Sequence, residues 1–404
     1  MISNFQKRKL KNGITILYEK RNLPLVSFSI TNPFAAAHET SEIKGIAHLI
    51  EHLVFTGTKT RTSEQISREI EKKGGVLNAF TGQDATSFWF KLPSEHLFSG
   101  IEILVDILKN PKFDEKKFEK EKLVVLEEIK MYHDTPQRNV MEKLEENLYE
   151  KPFGIGITGT KESVSSLKRD FVASYFKEKY SSENYFITIV GKADFEKVCE
   201  YIEKSFNIQK NKKASLANQE IKKINKNSVE ERDHIDQAHF AFGVHGPQSN
   251  SKEIYVLEVL NAYLGLGMSS RLFIEIREKR GLAYAINCSV DFEKSYSHYT
   301  IYVGTSKKAI PEVKNLILSE FKNIENKMTE KDLEEAKEML IGLKKVATEE
   351  SINAMNSLMY SELISKAEDY YIYEKKIRLV TLKEVKKLAQ ALPKKYSTSA
   401  IVPK

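Results

Sequence analysis

The order of predicted elements repeats after about half of this 404-residue chain. Residues 45–58 predict a helix, and residues 254–267 predict a second one at an offset of 209. Gly74 and Gly281, each at the end of a later helix, correspond at an offset of 207. Strand-like runs with frequent apolar residues, such as GITILYEK and QAHFAFGVHGP, precede both copies. A period of about 200 residues indicates duplication of a whole domain rather than a solenoid of short repeats.

The duplication predicts an α+β fold of two homologous domains, each a mainly antiparallel sheet with helices packed on one face. The first domain is expected over residues 1–208 and the second over residues 229–404. Residues 209–228 are rich in lysine and poor in large apolar side chains, which favours an interdomain linker. Each half is long enough to bury its own core.

Charge and cysteine content exclude several kinds of partner. The chain has 63 basic and 56 acidic residues, a net charge of +7. These charges are interleaved, as in DEKKFEKEK, which is typical of a solvated surface and favours no nucleic-acid partner. Cys199 and Cys288 share no ligand spacing, so core thiols in a reducing, cytoplasmic location are expected. No run approaches the roughly 18 apolar residues of a membrane span, so no membrane association is expected.

The segment HLIEHLVFTGT places His48, Glu51 and His52 on one predicted helix. At roughly 100° per residue the histidines lie about 40° apart, and Glu51 lies about 60° to the other side of His48. All three can therefore face one cleft. Two imidazoles at this spacing offer a divalent metal two nitrogen ligands, and the carboxylate can serve as a general base. This order is the reverse of the usual zinc-protease motif, and a third ligand is needed to support it. The second copy has lost the three residues and carries in their place Leu257, Leu260 and Asn261.

A candidate third ligand lies in FEKEKLVVLEEIKMYHDTP, a predicted helix whose apolar block LVVL predicts deep packing. Glu121 and Glu128, seven residues apart, lie within about 20° of each other on a face shared with Val124 and Val125. A carboxylate beside buried valines needs a partner. A metal ion would satisfy this need, and so would a salt bridge; the periodicity leaves both open.

Three segments in combination, HLIEHLVFTGT, GGVLNAFTGQDAT and EKEKLVVLEEIKMYHDTP, resemble the pitrilysin-type zinc metallopeptidases. That family includes insulin-degrading enzyme and the subunits of mitochondrial processing peptidase, and the resemblance covers both halves of the chain. It implies one Zn²⁺ per chain, bound by His48, His52 and Glu128. It further implies that Glu51 is the general base and that Glu121 supports the metal site in catalysis.

The resemblance also implies roles outside the metal site. The run VLNAF would be the strand that takes the substrate, because an extended peptide can pair with an open strand edge. Asn78 would contact the scissile bond through its side chain and Ala79 through its backbone. In the second half, Arg277 and Tyr284 of IREKRGLAYAI would anchor the substrate carbonyl and stabilise the oxyanion. Without the resemblance, Asn78 is a polar residue of an exposed strand, Arg277 a surface charge and Tyr284 a core residue.

The resemblance further implies a homodimer. Single-chain relatives are about twice this length and carry zinc and the Arg/Tyr pair in the first and the fourth of four domains. Two copies of this chain would then unite the metal residues of one subunit with Arg277 and Tyr284 of the other. A heterodimer with a related subunit is left open.

The expected function is zinc-dependent metalloendopeptidase activity on unfolded or extended peptides inside an enclosed cleft. The alternative is a non-catalytic, zinc-containing peptide-binding or structural subunit of a peptidase complex. The two differ in whether a flexible peptide is cut in a metal-dependent way.

Overall fold

The computed structural model of the protein describes residues 4–206 and 221–404. These residues pack as two compact units. Unit 1 contains the described residues of 1–129, 157–219 and 347–371. Unit 2 contains the described residues of 130–156, 220–346 and 372–404. Each unit therefore contains a segment from the other half of the sequence.

Unit 1 is built on a six-stranded sheet in the order β1-β2-β6-β3-β5-β4. Only the β2–β6 pair is parallel. The strands are β1 (Phe5–Lys9), β2 (Thr15–Lys20), β3 (Leu25–Asn32), β4 (Val76–Thr81), β5 (Thr86–Pro93) and β6 (Phe186–Gly191). Strand β4 is an edge strand of this sheet, paired only with β5.

The described residues of the first half of the sequence contain eight α-helices. They are α1 (Ile46–Val54), α2 (Ser63–Glu71), α3 (Leu97–Lys109), α4 (Glu115–Asp134), α5 (Pro136–Leu148), α6 (Lys161–Ser166), α7 (Arg169–Lys179) and α8 (Phe195–Ser205). All except α5 and the last turn of α4 belong to unit 1. The largest core of unit 1 includes apolar residues of α1, α3 and α8 together with the inward-facing side chains of β3 and β5.

Both faces of the unit 1 sheet are covered. Along β3, Val26, Phe28 and Ile30 belong to the main core. Ser27, Ser29 and Thr31 face the opposite side and are equally buried. That side is covered by helix α12 (Ser351–Ile364), which comes from the second half of the sequence. The hydroxyl groups of Ser27 and Ser351 lie 2.8 Å apart and form a hydrogen bond. Small polar residues on β3 therefore allow a helix to pack closely over the sheet.

Unit 2 repeats this plan with a five-stranded sheet in the order β7-β11-β8-β10-β9. Only the β11–β7 pair is parallel. The strands are β7 (Asn227–Arg232), β8 (Ala238–His245), β9 (Ala283–Phe292), β10 (Ser297–Thr305) and β11 (Ser397–Pro403). The remaining helices are α9 (Glu253–Gly265), α10 (Ile310–Lys327), α11 (Glu330–Ala347), α13 (Tyr373–Arg378) and α14 (Leu382–Ala391).

The second face of the unit 2 sheet is also covered by a helix from the other half of the sequence. Gly243 in β8 lies beneath α5, because a Cβ added there would approach Leu144 and Leu148 at 3.0 and 3.1 Å. Its neighbours Phe242 and Val244 point into the main core of unit 2. The two halves thus exchange one helix each, α5 for α12.

The predicted fold class, an α+β fold of two mainly antiparallel sheets with packed helices, is confirmed, and the exchanged helices add a layer on the other face of each sheet. All strands of unit 1 lie within the predicted first domain. Strand β7 begins at Asn227, inside the predicted linker 209–228. Residues 209–220 of that linker lie outside the described residues.

Burial perturbs one carboxyl group of unit 2, that of Glu258 on α9. Its Oε1 atom accepts a hydrogen bond from the Tyr373 hydroxyl at 3.3 Å. Its Oε2 atom is buried and has no hydrogen-bond partner among the residues that the structure describes. Burial raises the pKa of Glu258 to about 7, although Lys344 and the Tyr373 hydroxyl oppose the rise.

Within the described part of the chain, no helix combines the length and the apolar character needed to cross a membrane.

Candidate metal centre

Helix α1 carries the two histidines on the face that the sequence predicts. The helix begins after Gly45, whose φ of 93° is a left-handed conformation that favours glycine. A Cβ at Gly45 would also lie 2.5 Å from the Thr158 carbonyl oxygen. The rings of His48 and His52, one turn apart, have centroids 4.8 Å apart. The spacing of four residues therefore produces two adjacent imidazoles on one helix face, as predicted.

Helix α4 brings Glu128 to these imidazoles. The Glu128 Oε2 atom lies 3.6 Å from His48 Nε2 and 3.7 Å from His52 Nε2. Among the described residues, these three form the group of side chains suited to hold a metal ion, with ligand atoms within 4.8 Å of one another. Tetrahedral Zn²⁺ with bonds of about 2.0–2.2 Å needs ligand atoms roughly 3.4 Å apart. Two imidazole nitrogens and one carboxylate oxygen at these separations fit a zinc ion.

Glu121 lies on the other side of His52, with its Oε2 atom 3.5 Å from His52 Nδ1. Burial lowers the pKa of His52, but the neighbouring Glu121, Glu51 and Glu128 carboxylates outweigh it and raise the pKa above its ordinary value. A carboxylate beside the second ring nitrogen can fix the orientation and tautomer of a metal-bound imidazole. The position of Glu121 thus suits the supporting role that the resemblance implies.

Glu51 faces the same cleft but stands outside the three-residue group. Its Oε2 atom accepts a hydrogen bond of 2.5 Å from the hydroxyl of Thr81, at the end of β4. Burial raises the pKa of Glu51, and the nearby charge of Glu128 adds to the rise, while Thr81 and His52 oppose it. A carboxyl group with a raised pKa is suited to exchange protons near neutral pH.

A buried carboxylate that sequence reasoning missed supports the first turn of α1. The Glu39 oxygens accept hydrogen bonds from the backbone N–H groups of Gly45 at 2.9 Å and Ala47 at 2.7 Å. Glu39 and Lys44 are both fully buried, and Lys44 Nζ donates to the Ala36 carbonyl at 2.6 Å. A carboxylate at a helix N-terminus satisfies backbone donors and interacts favourably with the helix dipole. His48 lies in that first turn.

The edge strand β4 runs beside the metal centre. Asn78 is exposed on it, and its Oδ1 atom accepts a hydrogen bond from the Ala79 N–H at 2.8 Å. The outer edge of β4 has no strand partner in the sheet that the structure describes. An extended peptide could pair with such an edge. The roles of Asn78 and Ala79 remain predictions.

A cleft of about 360 Å³ lies between β4, α1 and α4. The described residues that line it all belong to unit 1 and are Glu51, His52, Phe55, Thr56, Ser63, Asn78, Lys117, Lys120 and Glu121. The cleft therefore joins the proposed base, one metal ligand and the exposed edge strand.

The apolar block LVVL of α4 does not have the predicted burial. Val125 is fully buried, but Leu123 is 64% exposed and Val124 is 43% exposed. Glu121 and Glu128 therefore share their face with only one buried valine. The prediction of deep packing was wrong because α4 buries only a narrow stripe. Glu121 lines the cleft, and Glu128 lies beside the two imidazoles of α1.

Arg277 and Tyr284 belong to unit 2, whereas the metal residues belong to unit 1. Arg277 lies in a π-helical turn, Phe273–Glu278, with its guanidinium over the Phe273 ring at 4.8 Å. Tyr284 is 74% exposed on the edge strand β9. It sits at a β-bulge, since Ala283 and Ala285 pair with consecutive residues of β10. Tyr284 is therefore exposed, whereas the sequence pattern without the family resemblance predicts that it is a core residue.

Comparison with known proteins agrees with the fold and identifies the family. Residues 25–161 match the family model described as insulinase (peptidase family M16), and residues 166–340 match the model described as peptidase M16 inactive domain. The chain belongs to peptidase family M16 and contains both of its domain types. The second match covers the copy that lacks the histidines.

Several proteins of similar sequence are named as zinc proteases. The chain is 34% identical over 342 residues to an uncharacterized zinc protease of Rickettsia felis, covering 83% of this chain and 81% of that protein. It is 30% identical over 400 residues to an uncharacterized zinc protease of Bacillus subtilis, covering 97% of each. The crystal structure of a protease from Helicobacter pylori shares the fold, with a TM-score of 0.92, 20% identity and coverage of 99% of both chains.

Proposed function

We propose that this member of the M16 family is a zinc-dependent metalloendopeptidase that hydrolyses unfolded or extended peptides. The observation that carries the proposal is the convergence of His48, His52 and Glu128, with Glu51 facing the same cleft but outside the ligand group. Three ligands and a separate carboxylate form the residue set of a hydrolytic zinc site.

A zinc ion bound by these three residues would polarise the scissile carbonyl and acidify a water molecule. Glu51 takes the proton from the attacking water and returns it to the leaving amine. Because Thr81 donates to Oε2 of Glu51, the carboxylate is held in one orientation and Oε1 remains for the proton. Glu121 steadies the His52 ring through its second nitrogen.

Substrate binding is proposed at the edge of β4. A peptide in extended form adds a strand there, with Asn78 and Ala79 beside the scissile bond. This mode requires an extended backbone, so flexible peptides are substrates and tightly folded domains are spared. Rapid cleavage inside the core of a stable domain would contradict this binding mode.

The proposed enzyme is a homodimer in which Arg277 and Tyr284 of one subunit stabilise the oxyanion formed at the zinc site of the other. The support is the resemblance to single-chain relatives of about twice the length and the exposure of Tyr284 on an edge strand. A cytoplasmic location is also part of the proposal. It is supported by Cys199 and Cys288, which are free thiols.

The second candidate is a non-catalytic peptide-binding subunit. It is favoured by one observation, the match of residues 166–340 to a model described as an inactive domain. The zinc ligand set and Glu51 lie outside that match, in residues 25–161. Catalysis by the first domain type is therefore the better supported proposal.

A peptide digest with matched variants separates the two candidates. Wild-type protein should cut a flexible fluorogenic peptide, lose this activity with a chelator and regain it with Zn²⁺. Glu51→Gln should bind zinc as wild type does and show no cleavage, because it keeps the ligands and lacks the base. The control is Glu127→Gln, the loss of an exposed carboxylate on α4. Cleavage by Glu51→Gln, or loss of its zinc, would mean that its role is assigned wrongly. Wild-type zinc content without cleavage would favour the binding subunit.

A further inference from the structure

Two lysines on α4 form part of the cleft wall beside the metal centre. Lys117 and Lys120 are one helical turn apart and line the same 360 Å³ cleft as Glu51, His52 and Glu121. The proposed reaction uses neither lysine. They are nevertheless the two lysines among the residues that line the cleft.

The two lysines differ in how they are held. Lys117 Nζ donates a hydrogen bond to the Thr56 carbonyl, so its charge is fixed in the cleft wall. Lys120 is exposed and makes no hydrogen bond or ion pair with any residue in the described ranges 4–206 and 221–404. Another lysine of the same helix, Lys122, donates to the Leu167 carbonyl and lies 3.4 Å from Glu119. Lys120 is therefore a cation that lines the cleft without an anionic partner among the described residues.

Charge balance indicates what this cation would bind. The carboxylates of Glu51, Glu121 and Glu128 outnumber the charge of a divalent ion by one, which leaves the site negative. The ammonium groups of Lys117 and Lys120 reverse that sign. A net positive cleft attracts a negatively charged group, and the attraction is strengthened where water is excluded by a bound peptide.

We propose that this cleft binds an acidic substrate side chain, aspartate or glutamate, at a residue next to the scissile bond, and that Lys120 determines this preference. The inference rests on the proposed peptidase function and names its substrate class. Lys117 provides a fixed positive charge, and Lys120 forms the ion pair with the substrate carboxylate. For a partly solvated ion pair, the preference for the acidic peptide over its amide counterpart should be about fivefold to tenfold.

The test uses quenched fluorescent peptides that differ at one position. Each position on either side of the cut carries in turn Asp, Asn, Glu, Gln or Lys, and mass spectrometry locates the cut. Wild-type kcat/KM should be about fivefold to tenfold higher for Glu than for Gln at one of these positions, and the ratio should fall as salt is added. Equal values for Glu and Gln at every position would overturn the proposal.

Variants of Lys120 assign the effect. Lys120→Met should bring the Glu-to-Gln ratio of kcat/KM close to one, and Lys120→Glu should favour the Lys peptide. The control is Lys116→Glu, which makes the same charge change at an exposed residue of α4 that does not line the cleft. If Lys116→Glu shifts the Glu-to-Gln ratio as much as Lys120→Glu does, the preference comes from the overall charge of the surface and not from contact with Lys120. That result would refute the role assigned to Lys120.

A binding measurement keeps the proposal separate from the peptidase function. Glu51→Gln protein, with and without Lys120→Met, is titrated with labelled Glu and Gln peptides, and anisotropy gives their Kd values. Tighter binding of the Glu peptide, by about fivefold and only with Lys120 present, supports the preference even if no peptide is cut. Cleavage without any Glu preference in rate or Kd would refute the inference and leave the peptidase proposal intact.

Discussion

Replacing Glu39 by glutamine should destabilise unit 1 and weaken metal binding. Glu39→Gln keeps the shape of the side chain but removes its charge and one of its two acceptor oxygens. The remaining oxygen can accept from only one of the Gly45 and Ala47 N–H groups, and the new amide nitrogen faces the other donor. The fully buried Lys44 also loses its neighbouring negative charge.

The expected loss is about 3 kcal/mol in the free energy of unfolding. A hydrogen bond to a charged group contributes about 1.5–3 kcal/mol, and removal of one partner of a buried charge pair costs about 3–5 kcal/mol. The lower part of this range applies because Lys44 Nζ keeps its hydrogen bond to the Ala36 carbonyl at 2.6 Å. The loss acts on the helix turn that carries His48, so zinc affinity should fall as well.

Urea unfolding of the zinc-free protein at pH 7.5 measures this loss. The single tryptophan, Trp89, lies on β5 in unit 1 and packs beneath α12, so its fluorescence reports on the unit that holds the metal centre. Zinc affinity is measured by competition with a chromophoric chelator. Glu42→Gln is the control, since Glu42 is exposed three residues away and its replacement should change stability by less than about 0.5 kcal/mol.

A small effect would refute the reasoning. The pKa of Glu39 is raised, because burial outweighs Lys44 and the backbone N–H groups of Ala47 and Gly45, which lower it. The prediction assumes that Lys44 and the two backbone N–H groups keep the Glu39 carboxylate ionised at pH 7.5. A loss below about 1 kcal/mol would contradict the prediction and mean that the charge and second acceptor oxygen of Glu39 are not needed to hold the first turn of α1.

Three further predictions follow from the sites described above. His52→Ala should lose both zinc, measured by metal analysis, and peptidase activity; retention of stoichiometric zinc would contradict the ligand assignment. Because the pKa of Glu258 rises from 4.5 to about 7 on folding, its protonation stabilises the native state at low pH, and this contribution disappears as pH rises from about 4.5 to 7. The advantage of Glu258→Gln over wild type in urea unfolding should therefore grow by roughly 2 kcal/mol between pH 5 and pH 8, and a pH-independent difference would contradict it. If the active site is built in trans, mixing His48→Ala and Tyr284→Phe chains after dissociation should restore roughly a quarter of wild-type activity; a mixture no more active than the separate mutants would place Tyr284 with the zinc of its own chain.

Local spacing in the sequence determined the geometry within α1. His48 and His52 are four residues apart, and helical periodicity alone requires that they share a face. The α+β class and the duplication were likewise readable from the order of apolar runs. The third ligand could not be identified from the sequence pattern, because helix periodicity gives the helix face on which Glu128 lies but not which residues lie opposite that face. Only the resemblance to a family selected a metal ion over a salt bridge.

Tertiary structure alone decided which helix covers which sheet. Helices α5 and α12 are amphipathic or apolar segments whose sequences do not specify a partner, and each packs on the sheet built by the other half of the chain. The support of α1 by Glu39 was equally invisible, since Glu39 is one acidic residue in a loop with no recurring spacing. Burial of a side chain depends on contacts between segments distant in sequence, and periodicity records only the direction in which each side chain points.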